Sequence, residues 1–119
     1  MRERATAIIV VGGKILFARE SSGMWLLPGG KIERGELPII AVARELFEET
    51  GSVTHAARFL FTHRSRTSLH HVFRVELSTE FPPKVREEIE AIEWFDPVKI
   101  YDIETSQATR AMLELAGVV

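Results

Sequence analysis

Apolar residues fall in short runs near the N-terminus, at alternate positions through the middle of the chain, and at helical spacing in two places. Ala5 to Val11 is rich in Ile and Val and stops at Gly12-Gly13. That predicts a largely buried strand closed by a hairpin turn. Lys14 to Glu20 is the returning strand, and Ser21-Ser22-Gly23 the loop after it. Met24-Trp25-Leu26-Leu27 is a short apolar segment ended by Pro28, and Pro28-Gly29-Gly30 lets the backbone turn sharply and come close to a ligand. Ile39, Val42, Ala43, Leu46 and Phe47 then recur at three- and four-residue steps, predicting one apolar helix stripe. Pro38 suits the first turn of that helix and Gly51 the position past its end. Leu37 stands where a Ser, Thr or Asp cap is expected.

Ala57 to Thr62 predicts a strand. The alternating run Leu69, His71, Phe73, Val75 and Leu77 predicts a half-buried one, with polar His63–Ser68 between them. His71 lies on the apolar face of that run and reads as a core histidine. Trp25, Phe59, Phe61 and Phe73 read as core rings, one of which can stack on a ligand ring. Phe81-Pro82-Pro83 cannot continue a strand. Lys84 to Glu90 reads as a charged loop or a single helical turn, and Ala91 to Phe95 as a last short strand. Thr105 or Ser106 can cap a helix running to about Ala116, with Ala108, Ala111, Met112 and Leu115 as its stripe and Gly117 as its stop. Strands, a helix, strands and a final helix indicate an α+β fold with helices packed on a mixed sheet.

The polar positions add chemistry. Glu45, Glu48 and Glu49 lie off the predicted stripe and meet on one helix face, where like charges repel by roughly 0.2–0.5 kcal/mol per pair. A hard divalent ion such as Mg²⁺, which takes oxygen ligands, would offset that cost. Taken alone, Glu-x-x-Glu-Glu is an ordinary solvated acidic face. Its flanks are not ordinary: Gly30, five residues, Glu36, seven residues, Arg44-Glu45-Leu46, one residue, Glu48-Glu49, one residue, Gly51.

This stretch resembles the signature of the Nudix hydrolase family. Every charged and glycine position is filled; Ser52 departs from the pattern where an aliphatic residue is usual. The resemblance implies an α/β/α sandwich around a mixed sheet. It implies Mg²⁺-dependent hydrolysis of a pyrophosphate bond in a nucleoside diphosphate linked to another moiety, with Mn²⁺ able to substitute. Glu45, Glu48, Glu49 and the carbonyl of Gly29 would hold the metal, which neutralises the diphosphate and acidifies a bound water. Arg44 would orient these glutamates, and Glu36 would fix the loop. The base is a signature glutamate, Glu45 or Glu48, or a later one. Glu88, six residues before Trp94, is at the offset that MutT-like relatives use. Arg19 and Gly30 are candidate substrate contacts. Neither the downstream proline of ADP-ribose pyrophosphatases nor the tyrosine of diadenosine polyphosphate hydrolases is found, which leaves the MutT-like branch most similar. The alternative function is a weakly catalytic nucleotide-sensing module of the same fold.

Composition sets the bounds. With 119 residues, residues 1–119 read as a single domain. A net charge of −2 argues against binding a nucleic-acid polymer through a basic surface, while leaving a small phosphorylated substrate open. There is no cysteine, hence no disulfide framework or Cys metal site. Arg2, Glu3 and Arg4 lead into a strand with no signal peptide, and no apolar run is long enough to span a bilayer. The expectation is a cytoplasmic monomer or homodimer with no membrane partner.

Overall fold

The computed structural model describes residues 1–21, 23–86 and 89–119. The elements are β1 (Arg2–Ile8), β2 (Val10–Val11), β3 (Lys14–Arg19), β4 (Trp25–Leu26), β5 (Gly29–Lys31), α1 (Pro38–Thr50), β6 (Thr54–Arg64), β7 (Ser68–Leu77), β8 (Ala91–Phe95) and α2 (Gln107–Leu115), with a 3-10 turn at Pro97–Lys99. One sheet has the order β5-β1-β7-β6. Its β1 and β7 run parallel and its other pairs antiparallel, so it is mixed, as expected. In the second sheet β3 pairs antiparallel with β2, β4 and β8.

Successive residues of a strand face opposite sides, and β1 uses this to separate two cores. Ala5 and Ala7 pack with Val42 and Leu46 of α1. Ile8 packs with Met112 and Leu113 of α2. The helices therefore cover opposite faces of the mixed sheet. Alanines on the α1 side let that helix sit close to the strand.

The structure corrects several expectations. β1 begins at Arg2 rather than Ala5, because Arg2–Arg4 pair with β7 despite their charge. On α1, Ile39 and Phe47 are 42% and 50% exposed, and the buried residues are Ala41, Val42, Leu46 and Thr50. The helix is thus rotated from the predicted stripe, which turns Glu45 and Glu49 inward. On α2 the buried residues are Thr109, Met112 and Leu113, while Leu115 is exposed. On β7, Phe73 packs in the α1-side core and Val72 in the α2-side core, so both faces are covered there. His71 is no core histidine: its Nε2 lies 2.8 Å from Glu3 Oε1 at the surface. The segment around Lys84 is loop in its described part. There Lys84 N–H donates to the Thr50 carbonyl and the Arg86 guanidinium to that of Phe47, closing the end of α1.

Two local departures find their reasons. Leu37 precedes α1 without a side-chain cap, and Pro38 starts the helix in its place. Ser52 is fully buried; its Oγ lies 2.9 Å from Thr50 Oγ1, which accepts from the Ser52 N–H at 3.3 Å. Thr50 Oγ1 donates its one proton to the Leu46 carbonyl, so the polar pair is satisfied inside the core.

Candidate active site

α1 and the edge strand β5 build the site. Gly29 pairs with Thr6 and Gly30 with Ala5 across β1. Gly29 has a φ of 146°, and a Cβ there would strike the Ala5 carbonyl oxygen. A Cβ at Gly30 would collide with the Glu45 carboxylate. Both positions need glycine, and the space Gly30 leaves open is filled by Glu45. Gly29 N–H donates to Glu49 Oε1 at 3.0 Å. With Glu48, Glu20 and Arg4, these groups line a cavity of about 280 Å³.

Arg44 organises the outer rim. Its Nε and Nη2 donate to the two carboxylate oxygens of Glu36 at 2.8 and 2.9 Å, a bidentate pair. Its Nη1 donates to Glu45 at 3.0 Å and to Glu48 at 3.2 Å, and its Nη2 to the Lys31 carbonyl at 2.9 Å. One guanidinium therefore joins the loop glutamate, two helix glutamates and β5. Lysine, with a single point charge, could not make that set of bonds.

The electrostatics differ from one glutamate to the next. Arg44 and then the Glu33 N–H hold the Glu36 carboxyl well below its ordinary range, at about 2. Burial raises Glu45 despite Arg44 beside it. Burial raises Glu49 furthest, to about 8, against the opposing Gly29 N–H and with help from Glu45 and Glu20. The cavity thus gathers four carboxylates with Arg4 and Lys31 in the same wall, and burial makes Glu49 the costliest of them to ionise.

The predicted ligands Glu45, Glu48 and Glu49 are brought to one cavity, but they do not converge on a point. Among the described residues no three acidic or histidine side chains stand in metal-binding geometry. The reason is local: Arg44 draws Glu45 and Glu48 outward, and Gly29 holds Glu49. The donor set still fits a hard divalent cation, since all its side-chain donors are carboxylate oxygens. Gly30 sits in the cavity wall. Arg19 does not line the cavity; its guanidinium lies 4.8 Å from the Trp25 ring centroid and 3.9 Å from Glu90. Glu88 lies outside the described residues, although the adjacent Ile89 is buried and lines the cavity. Sequence reasoning missed Glu20, the one cavity carboxylate among the described residues that is not on α1. Its only signal was an acid directly after a strand, which is common on any surface.

A family model described as NUDIX domain matches residues 1–115. Among solved structures, a protein of Chromobacterium violaceum assigned to the Nudix hydrolase family superposes with a TM-score of 0.87 at 32% identity, covering 98% of this chain and 77% of that one. A MutT NUDIX hydrolase from Burkholderia pseudomallei gives 0.79 at 31% identity, covering 96% of each chain. The CTP pyrophosphohydrolase of Escherichia coli is 36% identical over 73 residues, 57% of this chain and 54% of that protein. The chain spans between 12% and 54% of the length of the curated relatives it matches. Glycine strand, arginine-tied glutamates and matched family model agree: the chain belongs to the Nudix family of hydrolases.

Proposed function

We propose that residues 1–119 act as one Nudix domain that hydrolyses a pyrophosphate bond in a nucleoside diphosphate derivative, with Mg²⁺ as cofactor and Mn²⁺ able to substitute. The observation that supports this most is the set of inward-turned, under-compensated carboxylates on α1 beside two glycines. A negative substrate would not enter such a cavity unless a cation accompanied it. Glu45, Glu48 and Glu49 would hold that cation, with the Gly29 carbonyl as a backbone donor. When bound, it supplies charge neutralisation of the diphosphate and a more acidic water.

The chain's own groups do the remainder. Arg44 fixes the directions of Glu45 and Glu48 through its bonds to Glu36 and Lys31. Gly30, with no side chain, leaves the room in which the Glu45 carboxylate sits against β5. A carboxylate takes the proton from the attacking water; Glu88 is the proposed base, and Glu20 is the alternative because it lines the cavity opposite α1. The E. coli relative bears the name CTP pyrophosphohydrolase, which makes nucleoside triphosphates the first class to assay. The proposed setting is the cytoplasm; among the described residues no helix is long and apolar enough to cross a membrane.

The test is a panel of nucleoside triphosphates and nucleoside diphosphate conjugates assayed for phosphate or pyrophosphate release in EDTA and in Mg²⁺. Release that requires Mg²⁺ supports the reading. Tight nucleotide binding with no release on any member supports the sensing module instead.

A further inference from the structure

A second, larger cavity of about 860 Å³ lies on the α2 side of the mixed sheet. Its wall carries Arg2 and Arg4 of β1, His63 and Arg64 of β6, Arg66 of the connecting turn, and His70 of β7. Among the described residues no aspartate, glutamate, Phe, Tyr or Trp lines it, although the chain holds 17 acidic residues against 15 Lys and Arg. Among the described residues none of the four arginines forms an ion pair; Arg64 meets only the Met1 sulfur, at 3.3 Å. The N-terminus of α2 borders the groove through Ser106, Gln107 and Ala108, with no acid in its first turn, and adds partial positive charge. Trp25 N–H donates to the Glu104 carbonyl at 2.9 Å, which pins this end of α2 beside Met24.

The groove and the carboxylate cavity meet at one residue. Arg4 lines both. In register, Arg4 faces Lys31 of β5 on one side and His70 of β7 on the other. A diphosphate in the carboxylate cavity would therefore have Arg4 at its boundary, and whatever it is linked to would pass over Arg4 toward Arg2, Arg64 and Arg66. Arg2 and Arg4 share one face of β1, about 6.6 Å apart at two strand residues. That step is comparable with the spacing of the 5′ and 3′ phosphates on one nucleotide.

We propose that the groove binds a phosphate on the ribose of the substrate's nucleoside, so the favoured substrates are nucleoside diphosphate derivatives carrying an additional ribose phosphate. Guanidinium groups match phosphate by paired N–H donors. Guanidinium groups outnumber the two imidazole rings among the described lining residues, so the groove favours charge on the sugar. His70 agrees with this: burial, Arg4 and His63 lower it to about 4, so positive charge already crowds that wall. The inference rests on the proposed hydrolase reading for the placement of the diphosphate, but its test does not use turnover.

The experiment is calorimetric titration in EDTA with adenosine 3′,5′-bisphosphate and with adenosine 5′-monophosphate. The variants are Arg64→Ala/Arg66→Ala, both residues being exposed, and Glu49→Gln. The bisphosphate is expected to bind at least tenfold more tightly than the monophosphate. The arginine double variant should lose that advantage while keeping its melting temperature, and Glu49→Gln should retain it. Equal affinities, no binding of either nucleotide, or an advantage that survives loss of both arginines would overturn the proposal. So would a short 5′-phosphorylated RNA that binds more than tenfold better than the bisphosphate, since the ligand would then be a polymer. Failure of the hydrolase reading would show separately, as absent turnover with this binding pattern intact.

Discussion

Two cavities flank β1, and they handle charge in opposite ways. On the α1 side, four carboxylates share about 280 Å³, and the three that belong to α1 are tied down. Arg44 spans Glu36, Glu45 and Glu48, and a backbone N–H holds Glu49. On the α2 side, four arginines and two histidines share about 860 Å³ with no described acid facing them. The first cavity is built to fix positions, as reaction chemistry demands. The second keeps its charges free for a ligand. The net charge of −2 conceals both, because each sign is gathered in its own place.

If that division is real, changes on the carboxylate side should lower turnover on every substrate, and changes in the groove should alter only which substrate binds. The largest effect is expected from the base. Glu88→Gln should lower kcat on the order of 10²–10⁴-fold with little effect on metal or substrate binding, and should remove the acidic limb of the pH–rate profile. Glu20→Gln serves as the rival: should it abolish the limb while Glu88→Gln leaves it, the base is Glu20. Next comes Arg44→Ala, expected to lower activity and metal affinity by about 10–100-fold, the usual cost of losing a group that orients metal ligands. Arg44→Lys should recover only part, because it cannot bridge Glu36 and Glu48 together. Gly30→Ala should cost about tenfold, read as weaker Mn²⁺ binding, because the new methyl displaces the Glu45 carboxylate.

The smallest predicted effect belongs to the groove and concerns pH. The His70 imidazole is held at about 4 in the fold, below its ordinary 6.5, by burial and then by Arg4 and His63. The unfolded chain takes up that proton first on acidification. The contribution of neutral His70 is therefore complete above about 6.5 and is lost as pH falls from there toward 4. Its Nδ1 lies 2.8 Å from Thr6 Oγ1, so His70→Gln keeps a polar partner there. The melting temperature of His70→Gln should fall less steeply than wild type between pH 6.5 and 4.

Some of this was legible in the sequence, for reasons that can be named. Pro38 and Gly51 bound α1 because each acts through its own backbone, and the helix ends where they place it. Ser106 caps α2 by accepting from Thr109 N–H, again a local interaction. The rotation of α1 was not legible. A stripe drawn through Ile39 and Phe47 assumes that the largest apolar residues face inward, but the helix packs on alanines and glycines, and the room beside Gly30 admits a carboxylate. His71 was misread because apolar burial on β7 sets in only at Val72 and Phe73; nearer the start of the strand His71 meets the exposed Glu3 of β1 instead of the core. Glu20 and the arginine groove are products of tertiary structure. Arg2, Arg66 and Gln107 are far apart in the chain and share a wall only after β1 and β7 pair and α2 docks.

The central claim is that the inward glutamates of α1 are a metal-dependent hydrolytic centre rather than an acidic surface. Turnover of the best substrate in the panel, in EDTA and then in saturating Mg²⁺, for wild type, Glu48→Gln, Glu49→Gln and Glu114→Gln tests it most directly. Glu114 is an exposed acid on α2 that accepts a hydrogen bond from Tyr101, well removed from the cavity lining. Wild type and Glu114→Gln should be silent in EDTA and equally active in Mg²⁺, while Glu48→Gln and Glu49→Gln should lose about 10²–10⁴-fold. Full turnover in EDTA, or four proteins that behave alike in Mg²⁺, would contradict the account.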